Sequence, residues 1–163
     1  MNAEDMMSYC GGFCGTCARS SNYTAFREAA ALLAELVDAH GFHHWVPDTV
    51  EFNYNEFRKG LDFFADSDSW RVCKNGCKGS KDGPPFCVRE CGKQHEVDIC
   101  FESSELPCDN VKKSESIVDK ADEYRRLGRE KWLQKYIEKA ALGFESHTGM
   151  YYQIRRSATA PEQ

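Results

Sequence analysis

The chain has 163 residues, 41% of them hydrophobic and 29% charged, and carries a formal net charge of −5. That balance excludes a wholly disordered chain, and no global basic field recommends nucleic acid as a partner. A chain of single-domain length buries roughly two thirds of its unfolded surface, so it needs no staples merely to fold.

The start, Met1-Asn2-Ala3-Glu4-Asp5-Met6-Met7, is acidic and lacks the apolar run of a signal peptide. No later stretch is apolar enough to span a membrane. A cytoplasmic location is therefore expected. The first helix is predicted from about Tyr23 to His40, with an N-cap among Ser20, Ser21 and Asn22 and a stop at Gly41. Phe26, Ala29, Leu33, Leu36, Val37 and His40 fall at three- and four-residue steps, which predicts one core-facing stripe. After Pro47, Phe57, Leu61 and Phe64 repeat that spacing in a second helix over about 53–65. His43 and His44 beside Trp45 read as a helix end rather than a catalytic pair.

From Cys73 to Cys108 the chain is rich in Gly, Pro and Lys, and Gly76, Gly79, Gly83, Pro84 and Pro85 argue against regular structure until about Phe86. A short helix follows over about 86–94. Such a segment has little apolar material of its own, and bound metal orders many like it. The last block, about 114–144, is helical, with one stripe of Ile117, Ala121 and Tyr124 and another of Trp132 or Leu133, Tyr136, Ile137 and Ala140. Gly128 lies between the stripes and predicts a break. The expected architecture is mostly α: a single small helical domain over 1–145 with irregular cysteine-rich metal-binding loops, followed by a partly ordered tail over 146–163.

Nine cysteines dominate the chemistry. An odd count leaves at least one thiol outside any all-disulfide scheme, and in a reducing compartment metal is the better reading. Cys10-Gly11-Gly12-Phe13-Cys14-Gly15-Thr16-Cys17 is a turn-rich run whose glycines permit tight backbone around converging thiolates. Cys73, Cys77, Cys87, Cys91, Cys100 and Cys108 complete the set. Cys87 and Cys91 are four apart and share a helix face, which suits joint ligation or two small core residues equally. Thiolate is a soft donor, suited to zinc or iron–sulfur clusters rather than calcium or magnesium. Eight thiolates could complete two closed four-thiolate sites, and one site with spectators is also allowed. His95 is a possible replacement ligand. Lys74, Lys78, Lys81 and Lys93 either offset a thiolate-bound metal's negative charge or form a solvated loop surface.

With those residues in view, the chain resembles a cysteine-rich prokaryotic family of unknown function described as zinc-binding. The resemblance rests on Tyr9-Cys10-Gly11 through Cys17, on Gly76-Cys77-Lys78-Gly79, on Cys87 to Cys91, on Cys100 through Leu106-Pro107-Cys108, and on Leu127-Gly128 through Trp132-Leu133. Ser103 stands where a further cysteine is expected, and Leu106 replaces a phenylalanine. The resemblance implies a fold and a metal, and supplies no reaction.

Three functions are thereby expected in order. The first is a zinc-stabilised binding or interaction module, holding one or two ions, without catalysis of its own and with another protein as its partner. The second is an iron–sulfur protein, serving electron transfer or radical S-adenosylmethionine-like chemistry, because Cys10, Cys14 and Cys17 have the spacing of the radical S-adenosylmethionine motif for a 4Fe-4S cluster. The third is a thiol redox or metal sensor.

Overall fold

The structure is a computed structural model that describes residues 2–79, 89–109, 111–112 and 114–154. Among these residues it is mostly α, with six α-helices and one two-stranded antiparallel sheet. The helices are α1 (Ala25–Ala39), α2 (Tyr54–Ala65), α3 (Gly76–Gly79), α4 (Arg89–Gln94), α5 (Glu115–Leu127) and α6 (Arg129–Ala141). The strands β1 (Phe144–Glu145) and β2 (Met150–Tyr151) form a short hairpin, Phe144 opposite Tyr151 and Glu145 opposite Met150. No helix among the described residues is long and apolar enough to cross a membrane.

These elements group into two compact units, one of residues 2–23 and 73–151, the other built on 24–72. In the 24–72 unit, α1 packs on α2 through Ala34, Val37 and Leu61, with Phe42 and Phe57 at the edge. The Asn53 side chain accepts the Glu56 N–H at 3.1 Å and starts α2, satisfying one of the orphan amides of a helix N-terminus. Gly41, in the left-handed region with φ 64°, ends the turn after α1 where the sequence places a stop. Arg58 ties the two helices by bonding both carboxylate oxygens of Asp38, at 2.8 and 2.6 Å.

Two expectations for α1 need correction. Its N-cap is Thr24, not a residue of 20–22, and Thr24 makes no side-chain cap bond. The predicted stripe is also only partly buried: Val37 is inside, while Phe26, Leu33 and Leu36 remain 39–47% exposed. Small Ala34 lets α2 approach closely, so a single partner helix covers a face narrower than the apolar periodicity suggests.

The cysteine-bearing unit has a larger core, in which Met7, Phe13, Ile99 and Phe101 from irregular segments meet Ala121, Tyr124, Trp132 and Tyr136 from α5 and α6. Trp132 is fully buried and stacks on Tyr136 with ring centroids 4.2 Å apart. Phe101 and Tyr124 present edges to it at 6.2 and 5.8 Å. Burying ~200 Å² of aromatic surface at ~25 cal/mol/Å² stabilises by about 5 kcal/mol as an upper bound. The α5–α6 break falls at Gly128 (φ 78°, ψ 160°), as the sequence predicts, because the chain turns there through a conformation L side chains avoid. The α3 turn is a departure: its two glycines bracket a helical turn rather than prevent one. The beginning of the helix expected from Phe86, and 155–163 of the expected tail, lie outside the described residues.

Candidate metal centre

Residues 6–17 fold into a tight loop with its own hydrogen bonds. The Cys14 N–H donates to the Met6 carbonyl at 2.8 Å, and the Ser8 and Gly12 backbones are joined at 2.8 Å. The Ser8 hydroxyl accepts the Gly12 N–H at 2.8 Å and lies 3.2 Å from the Cys10 sulfur. Gly11 is required twice over: its φ is 74°, and a Cβ there would sit 1.9 Å from the buried Phe101 ring. A single helical turn, Cys14–Thr16, then places Cys14 inside and Cys17 half-buried.

The central segment meets this loop in two places. The Cys73 N–H donates to the Arg19 carbonyl at 2.7 Å, and the Ser21 N–H donates to the Cys73 carbonyl at 3.0 Å. That pairing sets Cys73 beside the chain leaving Cys17, and α3 follows at once with Cys77, whose side chain hydrogen-bonds that of Cys14. Elsewhere, the Cys100 N–H donates to the Tyr9 carbonyl at 2.7 Å, and Gly92 packs so close to the Tyr9 ring that a Cβ would come within 2.6 Å. These contacts bring Cys100 and the Cys91 helix to the Cys10 side of the loop. Cys108 is half-buried against the same core cluster as Cys100.

The electrostatics follow the geometry. The Cys77 hydrogen bond outweighs burial and, with the Lys78 ammonium, brings the Cys14 thiol down to about 6. Burial, and then the neighbouring sulfurs of Cys10, Cys108 and Cys91, push Cys100 up to about 12. Burial followed by Cys108 and Glu105 raises Cys91, and burial followed by Cys14 and Glu145 among its charged neighbours raises Cys17. Thiols that oppose one another's ionisation are the donors that a divalent cation would bring to the charged form. None of the eight described cysteines is in a disulfide. Among the described residues no three His, Cys, Asp or Glu side chains converge closely enough to hold one ion. The donor chemistry thus fits zinc, while the sulfurs stand as contacts and neighbourhoods rather than at a common point. Cys87 lies outside the described residues.

The lysines divide. Lys78 is turned to the thiols: it pairs with Asp98, lies 5.6 Å from the Tyr9 ring centre and lowers the Cys14 pKa. Lys93 sits on the surface within 3.8 Å of Glu90, and Lys81 is outside the described residues. His95 faces Glu105 at 3.5 Å. The His43 and His44 rings lie 3.9 Å apart, tilted by 45°, on an exposed turn after α1.

One positioning residue escaped the sequence reading. Glu145 is 4% exposed, and its carboxylate accepts N–H bonds from Ala18, His147 and Thr148 while holding the His147 ring at 2.9 Å. Burial would raise its pKa, yet these bonds hold it below the usual carboxylate range. Together with the 2.8 Å bond from the Ser146 N–H to the Thr16 carbonyl, it ties the β-hairpin to the loop that ends in Cys17.

The model of DUF3795, a protein family of unknown function, matches residues 6–113. The chain belongs to DUF3795. No curated protein and no solved structure matches the chain. The DUF3795 match takes in all nine cysteines, and the Leu127–Leu133 part of the resemblance lies beyond it.

Proposed function

We propose that this DUF3795 chain is a zinc-binding protein whose cysteine thiolates hold the metal as a structural element of a binding or interaction module, without catalysis of its own. The observation that carries the reading is the meeting of the N-terminal loop with the central segment through cysteine-bearing backbone: Cys73 on residues 19–21, Cys100 on Tyr9, and the thiols of Cys14 and Cys77 in contact. Both segments are irregular, and a closed thiolate site stabilises such loops outright. The reading also places the protein in a reducing compartment such as the cytoplasm, where thiols persist. Its partner would be another protein. Metal and acid-labile sulfide content, measured with an absorption spectrum on protein purified without air, tests it. Stoichiometric zinc with no visible absorption is the expected result. Iron with labile sulfide, or metal-free protein of unchanged thermal stability after zinc is offered, would sink it.

A further inference from the structure

The Cys10-x3-Cys14-x2-Cys17 run reads in sequence as one ligand group, because three thiolates within eight residues can readily reach one ion. The fold gives Cys10 different neighbours from Cys14 and Cys17. Ser8 holds the Cys10 sulfur at 3.2 Å on one limb of the loop, and Cys100 is fastened there by its N–H bond to the Tyr9 carbonyl. The ring of Tyr9 is the surface on which Gly92 rests, which brings in its chain neighbour Cys91. Cys14 begins the following helical turn and meets Cys77, and the parallel bridge of Ser20 with Cys73 puts Cys73 beside the chain leaving Cys17.

We propose that the described cysteines form two separate four-thiolate zinc sites, one of Cys14, Cys17, Cys73 and Cys77 and the other of Cys10, Cys91, Cys100 and Cys108. This rests on the zinc-binding reading above and deepens it. The N-terminal run then ligates two ions rather than one, with Gly11 and Gly12 carrying the chain from one to the other. Cys108 packs against the core cluster that contains Cys100. Each set has four soft donors and no open position, which is the make-up of a structural site. Closing each set needs its sulfurs to draw in to about 3.8 Å, the tetrahedral edge for Zn–S bonds of about 2.3 Å. Lys78, between Tyr9 and Cys14, offsets the excess negative charge that four thiolates leave on a dication. The same division makes Cys10, Cys14 and Cys17 unsuited to sharing one iron–sulfur cluster.

The full chain loaded with cadmium-113 tests this by proton–cadmium correlation, which links each ion to the β-protons of its own cysteines. Two resonances are expected, one correlated with Cys14 and Cys77, the other with Cys10 and Cys100. Independently, C14S and C10S should each retain one zinc per chain, and C10S/C14S should retain none. A cadmium correlated with both Cys10 and Cys14 overturns the division and leaves zinc binding standing. One ion per wild-type chain does the same. Wild-type protein that takes up neither zinc nor cadmium overturns both readings.

Discussion

The 24–72 unit and the cysteine-bearing unit are each helical, but they obtain their order differently. In the first, two regular helices meet over a small contact of Ala34, Val37 and Leu61, and an ion pair from Arg58 spans them. Large apolar side chains remain outside, with Trp70 83% exposed and Trp45 and Phe52 each above half. In the second, much of the core comes from chain with no regular repeat, including Met7, Phe13, Ile99 and Phe101, gathered around Trp132. Regularity and burial are therefore separate properties here. The more regular unit has the smaller core, and the unit with the irregular loops has the tightly enclosed aromatic centre and all eight described cysteines.

The strongest way to break this contrast is Trp132→Ala. Removing a fully enclosed indole should destabilise the cysteine-bearing unit by about 3–5 kcal/mol. Hydrogen exchange on the full chain should show α5 and α6 losing protection while α1 and α2 keep theirs. Equal loss in all four helices would mean that the units unfold as one, and the contrast would be only descriptive. Leu61→Ala is the converse and sharpens it. Leu61 is 8% exposed in a thin contact, so about 2 kcal/mol is expected, read as lost protection in α1 and α2 alone.

The smallest effect, and the most specific, is expected of Glu145→Gln. Weakening charge-assisted bonds to a buried carboxylate should lower stability by about 1 kcal/mol at neutral pH, since Gln keeps an acceptor oxygen. Because the folded state holds the Glu145 pKa below its ordinary 4.5, the carboxylate's contribution is complete above that value. It is lost as the pH falls through the lower folded value. The gap between wild type and variant should therefore narrow on acidification below about 4.5, as measured by denaturant midpoints across pH. A gap independent of pH would make Glu145 a shape-filling residue rather than a charged tie.

The helices were largely legible. Periodicity located α1, α2, α5 and α6 to within about three residues at their ends, and Gly128 marked the break because a positive φ there is glycine's particular capacity. The α1 stripe was overread, since periodicity reports which residues could be buried but not how wide a face the neighbour covers. Glu145 was invisible for a different reason. Its neighbours 144–151 carry no helical repeat, and its partner Ala18 is distant in sequence, so only tertiary structure reveals the carboxylate as a hub. The cysteines' neighbours were not legible, because closeness along the chain suggests one group, while Ser8 holds Cys10 and Cys14 begins the following helical turn.

The enclosure of Trp132 has a consequence for where this protein can be divided. The family match covers residues 6–113, whereas the aromatic centre that seats Met7, Phe13 and Phe101 is completed by α5 and α6. A fragment ending at the family boundary would keep every thiol and lose the side chains that hold Phe101 over Gly11. What the family match covers is thus shorter than what packs together, and α5 and α6 are structural support for it rather than an appendage.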